Sequence, residues 1–167
     1  MTMKRMFGVE MQAPAGKLPG FYAQVIHKIG DNVNVFDRDG QLLIVEGEHD
    51  RQKLNELLTK ASMPGEEFSL WLLPPDTEII HLDDIGFESQ EGHTYLYADR
   101  VAFFSLDVSA GDDQDQWAAL EQMKEAILGR IPSTPADLYL IDPAHDQLID
   151  GIARAYNISV LWQDKDV

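Results

Sequence analysis

The chain has 167 residues, 29 acidic against 13 basic side chains, a formal charge of −16, and no cysteine. Without cysteine there are no disulfides, no thiolate metal ligands and no cysteine nucleophile, which points to a reducing, cytoplasmic setting. The surplus of carboxylates argues against direct nucleic-acid binding, because such a protein must supply cations to replace the counterions along the phosphates.

A chain of this length fits one domain, residues 1–167, with a looser N-terminal stretch over 1–20, and folding would bury roughly 70% of the unfolded chain's surface. The basic start Lys4-Arg5 is not followed by an apolar run, since Glu10, Gln12 and Gly16 interrupt it, so no secretory leader is expected. No stretch approaches the ~20 apolar residues of a bilayer crossing, and no membrane partner is expected. The charge is uneven. Lys4, Arg5, Lys17 and Lys28 against Glu10 make the first thirty residues basic, whereas between Lys60 and Lys124 the sole base is Arg100, set against fourteen acids running from Glu66 to Glu121.

In chain order, Gly20–Ile29 carries Phe21, Tyr22, Val25, Ile26 and Ile29, and its β-branched residues favour a strand over a short helix. Val33–Phe36 and Gln41–Val45 flank Asp37-Arg38-Asp39-Gly40, a hairpin signal. Leu54, Leu57, Leu58 and Ala61 recur at helical spacing over Asp50–Ala61, with Asp50 placed as the cap and Met63-Pro64-Gly65 as the stop. Phe68–Leu73 reads as a strand. Ile85–Glu88, His93–Ala98 and Val101–Asp107 read as an antiparallel meander around the Ser89-Gln90-Glu91-Gly92 turn. After Gly111 a helix is expected whose stripe is Trp117, Leu120, Met123, Ile127 and Leu128, stopped by Gly129. The strand Asp137–Ile141, a helix capped at Asp142-Pro143 with Leu148, Ile149, Ile152, Ala153 and Tyr156 on one side, and the strand Ile158–Trp162 then suggest a right-handed parallel crossover. The expected class is α+β: a mixed sheet of antiparallel hairpins and meander, a C-terminal parallel βαβ unit, and about three helices.

Catalytic signatures are scarce. There is no phosphate loop, dinucleotide fingerprint, Gly-x-Ser-x-Gly or His-Glu-x-x-His, and neither a cofactor nor a metal is expected. Asp37-x-Asp39-Gly40 with Glu46 imitates the later half of a calcium loop, but Val35 stands where an oxygen ligand is needed, so a hairpin turn is preferred. His81, Asp83 and Asp84, with His93 across the turn, read as a solvated acidic loop rather than a metal site. Asp142 and His145 at a strand end form an alternative acid–base pair, against which stands the ordinary role of Asp before Pro as a helix cap. Trp71, Trp117 and Trp162 belong to apolar patterns and read as core, Trp117 being the one most open to exception because it follows the run Asp112, Asp113 and Asp115.

Alternation places His93, Tyr95 and Tyr97 on one strand face, where tyrosines among carboxylates would anchor a partner. The leading expectation is a non-enzymatic protein that binds a basic partner, a toxin or nuclease, and masks its cationic cleft. In size and charge alone the chain is similar to bacterial immunity proteins. The expected contacts are Asp83, Asp84, Glu88, Glu91, Tyr95, Tyr97, Asp112, Asp113 and Asp115. The alternatives are an enzyme using Asp142 and His145, and a homo-oligomer paired through edge strands.

Overall fold

A computed structural model describes residues 3–12, 16, 17 and 19–164. Of the stretch expected to be loose, residues 1, 2, 13–15 and 18 lie outside the described set, and Lys4–Met11 forms strand β1, with Met6 and Val9 fully buried. The remaining elements are α1 (Pro19–Asn32), β2 (Val35–Asp39), β3 (Leu42–Val45), α2 (Glu48–Lys60), β4 (Pro64–Leu72), β5 (Glu78–Ile79), α3 (Leu82–Ile85), β6 (Gly86–Glu88), β7 (Thr94–Tyr97), β8 (Ala102–Leu106), α4 (Asp113–Met123), β9 (Ile127–Ile131), β10 (Leu138–Ile141), α5 (Asp146–Ala155) and β11 (Val160–Trp162). The class is α+β. Among the described residues five α-helices accompany two antiparallel sheets, of order β2-β3-β1-β4-β7-β6 and β11-β8-β10-β9-β5. No helix among the described residues is long and apolar enough to cross a membrane.

The chain divides into two compact units. The N-terminal unit comprises Lys4–Leu72 and Glu88–Tyr95; the C-terminal unit comprises Met1–Met3, Leu73–Phe87 and Leu96–Val167. In the N-terminal unit, α1 and α2 cover β1 and β3, joining Val25, Ile29, Leu54 and Leu58 to Val9, Leu43 and Val45 in one apolar core. In the C-terminal unit, Ala119 and Met123 of α4 and Ile149 and Ala153 of α5 pack on Phe104 and Ile141. The fourteen acids of the central stretch fall mostly here. By sequence this unit holds seventeen acidic and five basic residues, a net of −12, against −4 for the other.

Several expectations change. Gly20–Ile29 is helical, not a strand, because Phe21, Val25 and Ile29 recur every four residues and meet α2 and the sheet on one side. Helix α2 begins at Glu48 with Gly47 at its N-cap, while Asp50 accepts a hydrogen bond from the Asn34 N–H. The meander breaks after β7: a 3-10 turn over Ala98–Arg100 leads to β8, which belongs to the five-stranded sheet. Helix α4 ends at Met123, so Ile127 and Leu128 continue its stripe only by coincidence and lie in β9. Gly129 is therefore no helix stop. A Cβ there would sit 2.5 Å from the carbonyl oxygen of Glu78, so glycine is what lets β5 pair with β9.

The parallel βαβ unit does not form. Strands β10 and β11 share a sheet and α5 connects them, but β8 lies between and pairs antiparallel with both. Phe104 of β8 is fully buried in register with Tyr139 on one side and Trp162 on the other, its ring 5.5 and 5.4 Å from theirs. That aromatic row fills the place that direct β10–β11 pairing would need.

Candidate functional site

Two places concentrate chemistry, one in each unit. The first is an open groove in the C-terminal unit. Asp112 caps α4, its Oδ1 accepting from the Asp115 N–H at 2.8 Å, and this fixes the first turn of a helix whose start attracts negative charge. Asp113, Trp117 and Glu121 follow at four-residue spacing and so share one face. Trp117 is 64% exposed and Ile80, just past edge strand β5, is 60% exposed. Between them, with Leu120, Ile127 and Tyr139, lies a groove of about 380 Å³, within the roughly 300–1,000 Å³ span of ligand pockets. Glu78 and Arg130 border it. Arg130 bridges Glu78 at 3.0 Å and Asp137 at 2.8 Å, and these carboxylates hold its pKa above the usual value. Lys124 pairs with Glu121 at 2.6 Å.

Carboxylates here outnumber their partners. Of the fourteen central acids only Glu67, Glu78 and Glu121 hold a lysine or arginine in an ion pair among the described residues. Asp112, Asp113 and Asp115 have none, so the start of α4 presents uncompensated charge beside an exposed indole.

The second place is in the N-terminal unit. Strand β2 slips register against β3 between Val35 and Asp37, and this bulge turns Asp37 inward, where it is 3% exposed. Its Oδ1 accepts from the Arg38 N–H at 2.7 Å, and its Oδ2 accepts from the Tyr95 hydroxyl at 2.7 Å and lies 3.1 Å from His93 Nδ1. The Ser89-Gln90-Glu91-Gly92 turn, closed by Gly92 N–H to Ser89 O at 2.9 Å with Gly92 at φ +85°, delivers Ser89, Glu91 and His93 to the same spot. Burial works to raise the Asp37 pKa, but hydrogen bonds from Ser89, Tyr95, the Arg38 N–H and His93 outweigh it and hold the carboxyl below the ordinary value. Tyr95 moves the other way, pushed up by burial and then by Asp37. Asp37, Glu91 and His93 offer ligand atoms that all lie within 4.8 Å of one another.

Compared with known proteins, the chain matches no family model and no curated protein. Its function is read from these residues.

Of the expected contact residues, Asp83, Asp84, Tyr97, Asp112, Asp113 and Asp115 belong to the C-terminal unit and Glu88, Glu91 and Tyr95 to the other. Tyr95 leaves the contact set, because its ring is fully buried and its hydroxyl is committed to Asp37. Tyr97 is half-buried, with its ring 5.7 Å from Phe87 and the Arg100 guanidinium 4.6 Å above it. Asp83 and Asp84 stand exposed on α3, where His81 precedes them without joining a ligand group. Asp142 caps the turn Pro143–His145, its Oδ1 accepting from the Ala144 N–H at 2.9 Å, and no side-chain bond joins it to the exposed His145. Trp71 is core, as expected, whereas Trp162 is 36% exposed and donates to Asp150. The sequence shows only half of the groove. Trp117 is marked by its place after three aspartates, but nothing local marks Ile80 and Tyr139 as its neighbours.

Proposed function

We propose that this chain is a non-catalytic, acidic binding protein that captures a basic protein partner in the cytoplasm and covers its cationic cleft, in the manner of an immunity-type inhibitor of a toxin or nuclease. The observation that carries the reading is Trp117. A tryptophan exposed over an apolar groove, on a helix whose first turn bears three unpaired aspartates, supplies both an anchor and a steering field. Aromatic anchors dominate binding energy when a partner desolvates them, while the carboxylates set the sign of that partner and the speed of encounter. The concentration of net charge in this same unit favours a cationic occupant over a neutral or acidic one.

The test is retention of host proteins on the immobilised chain at about 50 mM and about 500 mM salt, with retained proteins identified by mass spectrometry. The reading expects a protein of high isoelectric point that is held at low salt, released at high salt, and no longer held by Trp117→Ala. Retention of no basic protein, or retention indifferent to both salt and Trp117, would overturn it.

A further inference from the structure

We propose that Asp37, Glu91 and His93 form a binding site for one divalent transition-metal ion of the zinc class. The inference rests on the N-terminal unit alone and is independent of the groove.

The donor set is one imidazole and two carboxylates, a nitrogen–oxygen mixture suited to zinc and its neighbours. It is too poor in oxygen for calcium, which takes six to eight oxygen ligands. The spacing fits. His93 Nδ1 and Asp37 Oδ2 lie 3.1 Å apart, close to the separation of about 3.3 Å expected of two ligands each about 2.0 Å from a tetrahedral zinc. Glu91 brings its carboxylate within 4.8 Å of both donors, and its side chain stands in solvent on the Ser89–Gly92 turn, so rotation of one exposed side chain closes the set.

The charge also suits a cation. Asp37 and Ser89 are the buried polar residues among those described, and burying an ionised carboxylate is costly unless it is paired. Among the described residues no lysine or arginine side chain bonds Asp37; the Arg38 side chain turns away to the Gly40 carbonyl, and His93 is the one basic side chain seen in contact. The surroundings are already arranged as metal ligands need. The Arg38 N–H fixes Oδ1 and the Tyr95 hydroxyl orients Oδ2, the outer bonds that hold a ligating carboxylate in place. On binding, His93 coordinates as neutral imidazole through Nδ1, and any proton on that nitrogen passes to solvent. The half-exposed His93 and the exposed Glu91 leave the fourth position to water.

The experiment is calorimetric titration of untagged, chelator-treated full-length chain with zinc chloride, repeated on Glu91→Gln, His93→Ala and the control His27→Ala. The control matters because exposed His27 and Asp31, 3.3 Å apart on α1, are an adventitious zinc pair. The expected result is one equivalent bound by the wild type and by His27→Ala, a zinc-dependent rise in the melting temperature, and binding weakened about tenfold or more in Glu91→Gln and His93→Ala. If His93→Ala melts early in chelator, Glu91→Gln still carries the test, since Glu91 is an exposed residue of the turn. No binding by the wild type, binding unchanged in Glu91→Gln, or binding removed by His27→Ala would each overturn the proposal.

Discussion

Tyr95 and Asp37, fifty-eight residues apart in sequence, are joined by a 2.7 Å hydrogen bond from phenol to carboxylate, and both side chains are buried. The bond ties the start of β7 to β2 within the N-terminal unit. Removing Asp37 would leave the Tyr95 hydroxyl, the Ser89 hydroxyl and the Arg38 N–H without their acceptor. Asp37→Ala should therefore cost about 3 kcal/mol or more, and Tyr95→Phe, which removes one donor and leaves the others, about 1–2 kcal/mol. Urea denaturation measures both, and equal small effects would contradict this ranking.

Gly129→Ala should unpair edge strand β5. The new methyl would meet the Glu78 carbonyl oxygen at 2.5 Å, and backbone gives way less easily than a flexible side-chain end. A loss of about 1–3 kcal/mol is expected. Amide exchange should report it locally, through loss of protection at the Ile80 N–H, which donates to Leu128 O at 3.0 Å.

Asp142 and Asp112 should behave as caps. Alanine at either position should lower stability by about 1 kcal/mol, while asparagine, which caps about as well as aspartate, should restore most of it. Thermal melts of the four variants decide the matter. A fall in stability for Asp142→Asn equal to that for Asp142→Ala would mean that charge, not capping, is what Asp142 supplies.

Trp117→Ala should leave folding almost untouched, within about 0.5 kcal/mol, because the side chain is mostly in solvent. A large loss in a denaturation curve would make Trp117 a structural residue and remove the anchor from the proposed surface.

How much of this was legible in the sequence depended on distance along the chain. The β2–β3 hairpin was readable because Gly40 adopts φ +59° at a tight turn, a purely local demand. The helical phase of Phe21, Val25 and Ile29 was also present, but β-branched residues argued for a strand until α2 supplied the surface that overrides propensity. Ile127 and Leu128 continued the α4 stripe in sequence, and only β5 and β10, arriving from elsewhere, reveal them as strand. Asp37 was read as a turn residue. Its inward aim comes from a bulge and from partners more than fifty residues away, and periodicity carries neither.

The central claim is that the start of α4, and not acidity in general, recognises a basic partner. It is tested most directly by comparing partner affinity for Asp113→Asn/Asp115→Asn with that for Glu56→Gln/Glu66→Gln, two exposed acids of the N-terminal unit without an ion pair, at matched net charge and low salt. The account predicts a large loss of affinity for the first pair and little change for the second. Equal effects from both pairs, or none from either, would contradict it.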